Sequence, residues 1–280
     1  MAITANCTIF PIMKRLLPYL LPLTMLACNP PASETANNEV TDEPSVESEA
    51  TYPELLEKAL EAHGGLDQWR NYHTLRFDLA RAESEVSERH IIDLTNRMVR
   101  IDGDNFTIGM DGQQVWSTPD IASTGKESPR FYHNLFFYFY AIPFVLADPG
   151  VNYEELGEVM VDSVTYNALK VSYNEGVGDA DDDQYIAHFN TETNRLEMLL
   201  YTVTYYTGEK HDNYNALLYK DYQEVGGLLM PQNLQGYRYQ GDSLAELRYN
   251  VLFKNVKFAE GSPEYSLFQM PKGAEIDSLN

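Results

Sequence analysis

Apolar positions follow two periods along the chain, which predict where helices and strands lie. Apolar residues recur at helical spacing over residues 55–62, and Gly64-Gly65 then favours the end of a helix. From residue 73 the period changes to two, and alternating segments separated by turn signals continue to residue 253. This pattern predicts a mainly β (α+β) domain, a meander of about 10–11 antiparallel strands in which residues 90–100 form a single strand.

Residues 129–149 break the alternating pattern, because aromatic and aliphatic side chains crowd into nearly every position. A segment that is apolar on almost all sides leaves little surface for water, so we expect one or two helices lying over the sheet. Two interpretations stay open: the segment is ordinary core, or it is the lid and wall of a cavity for an apolar ligand. On the second interpretation, the candidate cavity residues are Phe136, Phe137, Tyr140, Phe144, Leu146, Tyr249 and Phe253.

The N-terminal part has the organisation of a secretory signal. Lys14 and Arg15 precede an apolar stretch over residues 16–27. That stretch is too short to span a bilayer as a helix and has the length of a signal-peptide core. Residues 1–12 carry no charge and fit poorly before a positive region, so we expect translation to start at Met13.

The end of this signal resembles the lipobox of bacterial lipoproteins, in the order Met25-Leu26-Ala27-Cys28. The resemblance implies that residues 1–27 are a signal peptide, that cleavage occurs before Cys28, and that Cys28 carries a diacylglyceryl thioether. The alternative is an ordinary thiol after a simple signal peptide. Cys7, the only other cysteine, lies in the removed part, so a disulfide, a zinc site or a cysteine nucleophile is not expected in the mature chain.

Composition divides the mature chain into three parts. Residues 28–51 are rich in Pro, Ser, Glu, Asn and Thr, which is typical of a disordered tether. Residues 52–272 contain neither a second linker nor a repeat and are expected to form a single β-domain, and residues 273–280 are expected to be a loose tail.

The charge balance limits the partners. The chain has a formal net charge of −22, and loss of residues 1–27 removes Lys14 and Arg15 and no acidic residue, which makes the mature chain −24. Such a chain repels phosphate backbones and anionic headgroups, so nucleic acid is not an expected partner. Membrane association then depends on the lipid anchor at Cys28.

Few residues suggest chemistry. Asp179, Asp181 and Asp183 lie in one acidic loop and are weak candidates for Ca²⁺ binding, but the spacing is not that of an EF-hand, and a solvated loop is the simpler interpretation. The six histidines are scattered and form no HExxH motif, and the sequence contains neither a Gly-x-Ser-x-Gly elbow nor a phosphate loop. We therefore expect no catalytic residue, metal or cofactor. Paired carboxylates for glycoside hydrolysis stay open, because acidic residues are abundant.

The order of motifs resembles the LolA/LolB-like superfamily of periplasmic lipoproteins. The resemblance rests on Ala62-His63-Gly64-Gly65 followed by Trp69, on the meander with its helical interruption, and on Gly227-Leu228-Leu229-Met230-Pro231. It covers most of residues 53–270. A family of uncharacterised exported lipoproteins from the Bacteroidetes group is more similar still, through residues 139–150, 175–179 and 191–196.

The resemblance implies a strongly curved antiparallel sheet that forms an incomplete barrel, with helices over its open side and an apolar cavity between. It leads to a first hypothesis: a non-enzymatic, periplasm-facing lipoprotein, more probable at the outer than the inner membrane, that binds a lipid or acylated ligand for carriage or envelope assembly. An interaction or scaffold lipoprotein with a packed core is the second hypothesis. A hydrolase of envelope glycans or lipids is the third, and it lacks a visible nucleophile motif.

Overall fold

The structure is a computed structural model, and it describes residues 51–81 and 87–278. The predicted signal peptide, Cys28 and nearly all of the predicted tether lie outside the described residues, and those expectations stay predictions. Within the described residues, none of the helices combines the length and the apolar character needed to cross a membrane.

Three α-helices and thirteen strands form the described part. The helices are α1 (Glu54–Ala62), α2 (Leu66–Arg70) and α3 (Pro129–Ala141), with 3₁₀ turns at Ala122–Thr124, Phe144–Ala147 and Tyr265–Leu267. The strands are β1 (Thr74–Arg81), β2 (Ser87–Asp93), β3 (Val99–Asp102), β4 (Thr107–Met110), β5 (Val115–Thr118), β6 (Val151–Val161), β7 (Val164–Tyr173), β8 (Tyr185–Asn190), β9 (Leu196–Tyr201), β10 (Asn215–Val225), β11 (Leu228–Gln240), β12 (Ser243–Ala259) and β13 (Glu275–Asp277).

All thirteen strands belong to one curved antiparallel sheet in the order β13-β5-β4-β3-β2-β1-β12-β11-β10-β9-β8-β7-β6. Strands β1 to β5 form one meander and β6 to β12 another, and pairing of β1 with β12 joins them. Strands β13 and β6 are the two edges, so the sheet is an incomplete barrel. The mainly β fold class with a helical insertion is therefore confirmed.

The sheet has thirteen strands rather than the 10–11 predicted, for two local reasons. Residues 90–100 are two strands, because the Asp93 carboxylate accepts hydrogen bonds from the backbone N–H groups of Thr95 and Asn96, at 2.9 Å each, and so stabilises a turn. Arg97 completes that turn with φ of 57°. The second additional strand comes from the C-terminal segment.

The expectation of a loose tail over residues 273–280 is wrong for residues 275–277. Strand β13 pairs with β5, with Ile276 opposite Trp116. The carboxylates at either end of this short strand also accept backbone hydrogen bonds, Glu275 from Ile121 at 2.8 Å and Asp277 from Arg130 at 2.8 Å. A period-two pattern cannot be recognised in three residues, which is why the sequence did not reveal this strand.

Helices α1 and α2 cover one part of the sheet face that carries the main core, called the inner face below. Trp69 of α2 stacks on Phe144 with ring centroids 4.8 Å apart, which joins the N-terminal helices to the central insertion. Helix α1 buries Leu56, Ala59 and Leu60, the apolar stripe that the helical period predicts.

His63, at the end of α1, fixes the helix to two strands. Its ring contacts the carbonyl oxygen of Leu229 through Nδ1 at 2.9 Å, and its Nε2 accepts a hydrogen bond from the N–H of Leu196 at 3.1 Å. These contacts require a neutral ring that is protonated on Nδ1, and burial lowers the pKa of His63 to about 4. A Cβ on the next residue, Gly64, would lie 2.2 Å from the carbonyl oxygen of Gly227, so glycine is needed for this close approach.

We predict that His63→Ala lowers the free energy of unfolding by about 3 kcal/mol, because the substitution leaves a buried N–H and a buried carbonyl without their partner. Urea unfolding followed by circular dichroism measures the change. His73→Ala is the matched control, since His73 makes a single contact, to the Thr95 hydroxyl at 3.1 Å, at an exposed position. Equal effects of the two substitutions would contradict the role of His63.

Candidate functional site

The chain crosses the inner face between β5 and β6, through a segment called the insert here (residues 119–150). Strand β5 lies next to one edge of the sheet and β6 is the other edge, so the connection has to pass from one side of the sheet to the other. Helix α3 and the following 3₁₀ turn lie in this connection and bury their aromatic side chains against the inner face.

The N-terminal end of the insert is held by polar contacts. The Ser128 hydroxyl accepts from the N–H of Phe131 at 3.1 Å, which caps α3, and donates to the Asp277 carboxylate at 2.9 Å. The same carboxylate accepts from the N–H of Arg130, and the Arg130 guanidinium pairs with Asp179 at 2.8 Å. A negative charge at the N-terminus of α3 also interacts favourably with the helix dipole.

The C-terminal end of the insert is also held by polar contacts. Arg97 pairs with Asp148 at 2.6 Å, and the Tyr153 hydroxyl donates to the carbonyl oxygen of Leu146 at 2.5 Å. Between its two ends the insert contacts the inner face mainly through aromatic rings. The insert therefore combines polar attachment at its ends with mainly apolar packing in its middle, where Tyr132 and the carbonyl oxygen of Phe139 also form hydrogen bonds.

The seven candidate cavity residues lie in or against the main core, where Tyr140 packs on Phe253 and Phe136 on Tyr249. All belong to or pack against one core cluster: Phe136, Phe137, Tyr140, Phe144, Leu146 and Phe253 are buried, and Tyr249 is partly buried. Four open pockets of about 430 to 930 Å³ lie on the described surface, and none of these seven side chains lines them. The insert therefore lies closed on the sheet in this structure.

A buried charged cluster lies beside these aromatic rings, near the end of β1. The Glu88 carboxylate contacts the Lys126 ammonium at 2.8 Å and accepts from the Tyr132 hydroxyl at 2.6 Å. His90 Nε2 lies 3.4 Å from the same carboxylate. Burial acts to raise the pKa of Glu88, but the contacts with His90, Lys126 and Tyr132 outweigh burial and lower it to about 2. Glu88 is therefore ionised and paired.

Three buried polar side chains in this region have an atom without a hydrogen-bond partner among the described residues: Ser117 through Oγ, Tyr140 through its hydroxyl, and His90 through Nδ1, since its Nε2 faces the Glu88 carboxylate. Ser117 and His90 share the inner face, because Ser117 pairs with Ile108, Ile108 with Ile101, and Ile101 with His90. An unpaired buried polar group costs about 1–3 kcal/mol. Separate buried polar atoms near the closed insert are thus left unsatisfied.

Ser117 and His90 are not a nucleophile and its base. Three strand-to-strand steps separate β5 from β2, and at about 4.8 Å a step their side chains are roughly 14 Å apart. Burial lowers the pKa of His90, so its ring is neutral. The arrangement provides hydrogen-bonding groups at separate points on an apolar face rather than a catalytic pair.

Three aspartates of the acidic loop each contact a different residue of the protein. Asp179 pairs with Arg130, Asp181 accepts from the N–H of Gly176 at 2.6 Å, and Asp183 accepts from the N–H and hydroxyl of Thr204 at 2.6 and 2.9 Å. Within the described ranges, no group of three or more His, Cys, Asp or Glu side chains is arranged to hold a metal ion. The three aspartates hold loops and the insert in place.

Sequence reasoning missed the polar residues of the inner face. His90 is one of six scattered histidines without a motif, and neither Glu88 nor Lys126 belongs to a recognisable motif. The alternation in β2 indicates the position of two of these residues. Glu88, His90 and Ile92 are alternate residues and so share one face of the strand, and Ile92 is an apolar core residue. Polar residues on the apolar face of a strand point to a buried polar site.

The comparisons with known proteins concern the middle of the chain and its overall shape. The model of a family of unknown function, DUF6503, matches residues 121–238, which include the insert. No curated protein matches the chain.

Several solved structures are similar. A DUF1329 family protein from Desulfovibrio piger has a TM-score of 0.49 and 12% identity, over 77% of this chain and 98% of that one. A LolA superfamily protein from Nitrosomonas europaea has a TM-score of 0.47 and 10% identity, over 77% and 96%. A domain described as an outer membrane lipoprotein-sorting protein, from Vibrio parahaemolyticus, has a TM-score of 0.42 and 10% identity, over 76% and 97%. LolA-type proteins are thus among the structural neighbours, as the order of motifs indicates.

We predict that Glu88→Gln lowers the free energy of unfolding by about 3 kcal/mol, because it leaves the Lys126 ammonium buried without a counter-charge. The double variant Glu88→Gln/Lys126→Met removes both charges and should recover at least half of that loss, which chemical unfolding of the three proteins measures. The control is Glu54→Gln, in an exposed pair with Lys58, which should leave stability unchanged. A double variant less stable than Glu88→Gln would contradict a paired buried charge.

Proposed function

We propose that this chain is a non-enzymatic, periplasm-facing lipoprotein that is anchored through Cys28 and binds an apolar or acylated ligand between the insert and the inner face of the sheet. Carriage of lipid or lipoprotein, or assembly of the envelope, is the corresponding role, with the outer membrane as the expected location. The observation that carries the proposal is the insert, a single crossing segment that covers an aromatic inner face and is attached by polar contacts at its two ends.

The construction of the insert is suited to exchange with a ligand. Its middle buries aromatic side chains against apolar strands, and an acyl chain in the same place would bury comparable apolar area. The contacts at its ends involve partly exposed pairs such as Arg97 with Asp148. Two glycines of the insert have positive φ, Gly125 at 62° before α3 and Gly150 at 85° at the end of the insert, and glycine allows backbone rotation at these points. Displacement of the insert therefore exposes the ligand face without unfolding the sheet.

For the anchor, we predict that replacing Cys28 with Ser abolishes lipidation and releases the protein from the membrane, because a mature charge of −24 provides no attraction to anionic headgroups. Metabolic labelling with radioactive palmitate and fractionation of the envelope measure both effects. Ser33→Ala, in the predicted tether and so retained in the mature chain, is the matched control and should change neither. Unlabelled wild-type protein would refute the anchor and leave the ligand proposal untouched.

For the ligand, we predict that the mature protein, purified without harsh detergent, carries lipid in native mass spectrometry and takes up a fluorescent fatty-acid ester. Asp277→Ala should accelerate uptake several-fold, because it removes the carboxylate that holds Ser128 and Arg130 at the start of the insert. Lys58→Ala, which breaks an exposed pair on α1, is the control and should not alter the rate. A clean apo mass together with absent uptake in all three proteins would overturn the proposal.

The second candidate is an interaction or scaffold lipoprotein, and the packed inner face favours it. Phe137, Tyr140 and Leu146 are buried to 98% or more, as in an ordinary core. This function predicts absent uptake in the wild type and in Asp277→Ala alike, so the same experiment separates the two candidates.

A further inference from the structure

Tyr140 differs from the other buried tyrosines near the insert. Tyr219 donates its hydroxyl hydrogen to the carbonyl oxygen of Phe139 at 2.9 Å, and Tyr132 donates to Glu88 at 2.6 Å. The hydroxyl of Tyr140 is buried without a partner among the described residues, although the whole residue is 0% exposed. Phenylalanine would fill the same space without this cost, so the hydroxyl itself requires an explanation.

His90, at a nearby point, differs from Tyr140 because its Nε2 lies 3.4 Å from the Glu88 carboxylate. Its ring stacks on Phe77 with centroids 4.6 Å apart, and Phe77 also contacts Tyr140 at 5.5 Å. Tyr140 in turn stacks on Phe253 at 4.3 Å. The Phe77 ring therefore lies between Tyr140 and the His90–Glu88 contact, and within this layer of aromatic rings the Tyr140 hydroxyl is a donor left without a partner among the described residues.

The charges around this layer favour an uncharged partner. The Lys126 ammonium is paired with Glu88, and the ring of His90 is neutral. Arg81 lies on the same face of β1 at its exposed end, two residues beyond Leu79, and it interacts there with the Tyr132 hydroxyl. A carboxylate placed against Tyr140 would be buried without a counter-charge, whereas an ester or amide carbonyl needs only a hydrogen-bond donor.

We propose that the Tyr140 hydroxyl is a polar subsite within the apolar interior, which donates a hydrogen bond to the neutral carbonyl group of an ester or amide and so selects a neutral acyl derivative over a free fatty acid. This inference rests on the proposed function and specifies its ligand. The hydrogen bond at this subsite also favours the open, ligand-bound form over the closed form. When the insert is displaced, its apolar contacts with the sheet are replaced by apolar contacts with the ligand. A ligand with a carbonyl group also accepts a hydrogen bond from the Tyr140 hydroxyl, which has no partner in the closed form.

The test uses three probes with the same chain and different ends: the methyl ester of pyrenedodecanoic acid, the free acid, and dodecylpyrene. Binding to the mature protein is followed by pyrene fluorescence and by tryptophan emission, to which Trp69, stacked on Phe144 of the insert, contributes together with Trp116. We expect the ester to bind about five- to tenfold more tightly than the hydrocarbon, the effect of one additional hydrogen bond, and more tightly than the acid. Tyr140→Phe should abolish the preference for the ester and leave hydrocarbon binding unchanged.

Tyr219→Phe is the matched control, because its hydroxyl is already paired within the protein. It should keep the preference for the ester but lower the free energy of unfolding, whereas Tyr140→Phe should not lower it. That comparison also shows whether each variant folds. Equal binding of the three probes, tighter binding of the acid, or an ester preference that survives in Tyr140→Phe would overturn the subsite alone. Absent binding of every probe, the hydrocarbon included, would instead overturn the proposed function.

Discussion

The structure depends on one constraint: an antiparallel sheet that does not close leaves a large apolar face that has to be covered. Strands β13 and β6 are the two edges of the sheet, so the inner face is open to one side. Helices α1 and α2 cover part of it, and the insert covers another part because the chain passes there between β5 and β6. The position of the most aromatic segment of the sequence thus follows from the strand order.

Polar contacts fix the insert where apolar packing alone would leave its position loosely defined. Asp277 binds the start of α3, Arg97 pairs with Asp148 near the end of the insert, and Lys126 pairs with Glu88 of β2. Aromatic rings tolerate sliding because their attraction has little directionality, whereas hydrogen bonds and ion pairs require particular distances and angles. The C-terminal segment therefore has a structural role, since β13 brings Asp277 to the first turn of α3.

The sequence predicted those elements whose signal is local. Helix α1, its end at Gly64-Gly65, the aromatic covering segment and most strands follow from spacing and turn residues. It failed where long-range contacts decide: β13 exists through pairing with β5, and the Glu88–Lys126 pair joins residues 38 positions apart. The candidate cavity residues all belong to or pack against the main core cluster. Whether they pack or surround a ligand depends on how closely the insert approaches the sheet, which no period in the sequence records.

Two opposing contributions determine how firmly the insert closes. The stacked rings of Tyr140, Phe77 and Phe253 stabilise the closed form, and the unpaired polar atoms of Ser117, His90 and Tyr140 destabilise it. An apolar core of the same shape would keep the first contribution and avoid the second. Retention of unpaired polar groups therefore has a physical rationale if the closed form is one of two states. In that case these groups reduce the free-energy difference between the closed and open positions of the insert. The free energy of the open state then depends on whether the bound ligand can form hydrogen bonds with them.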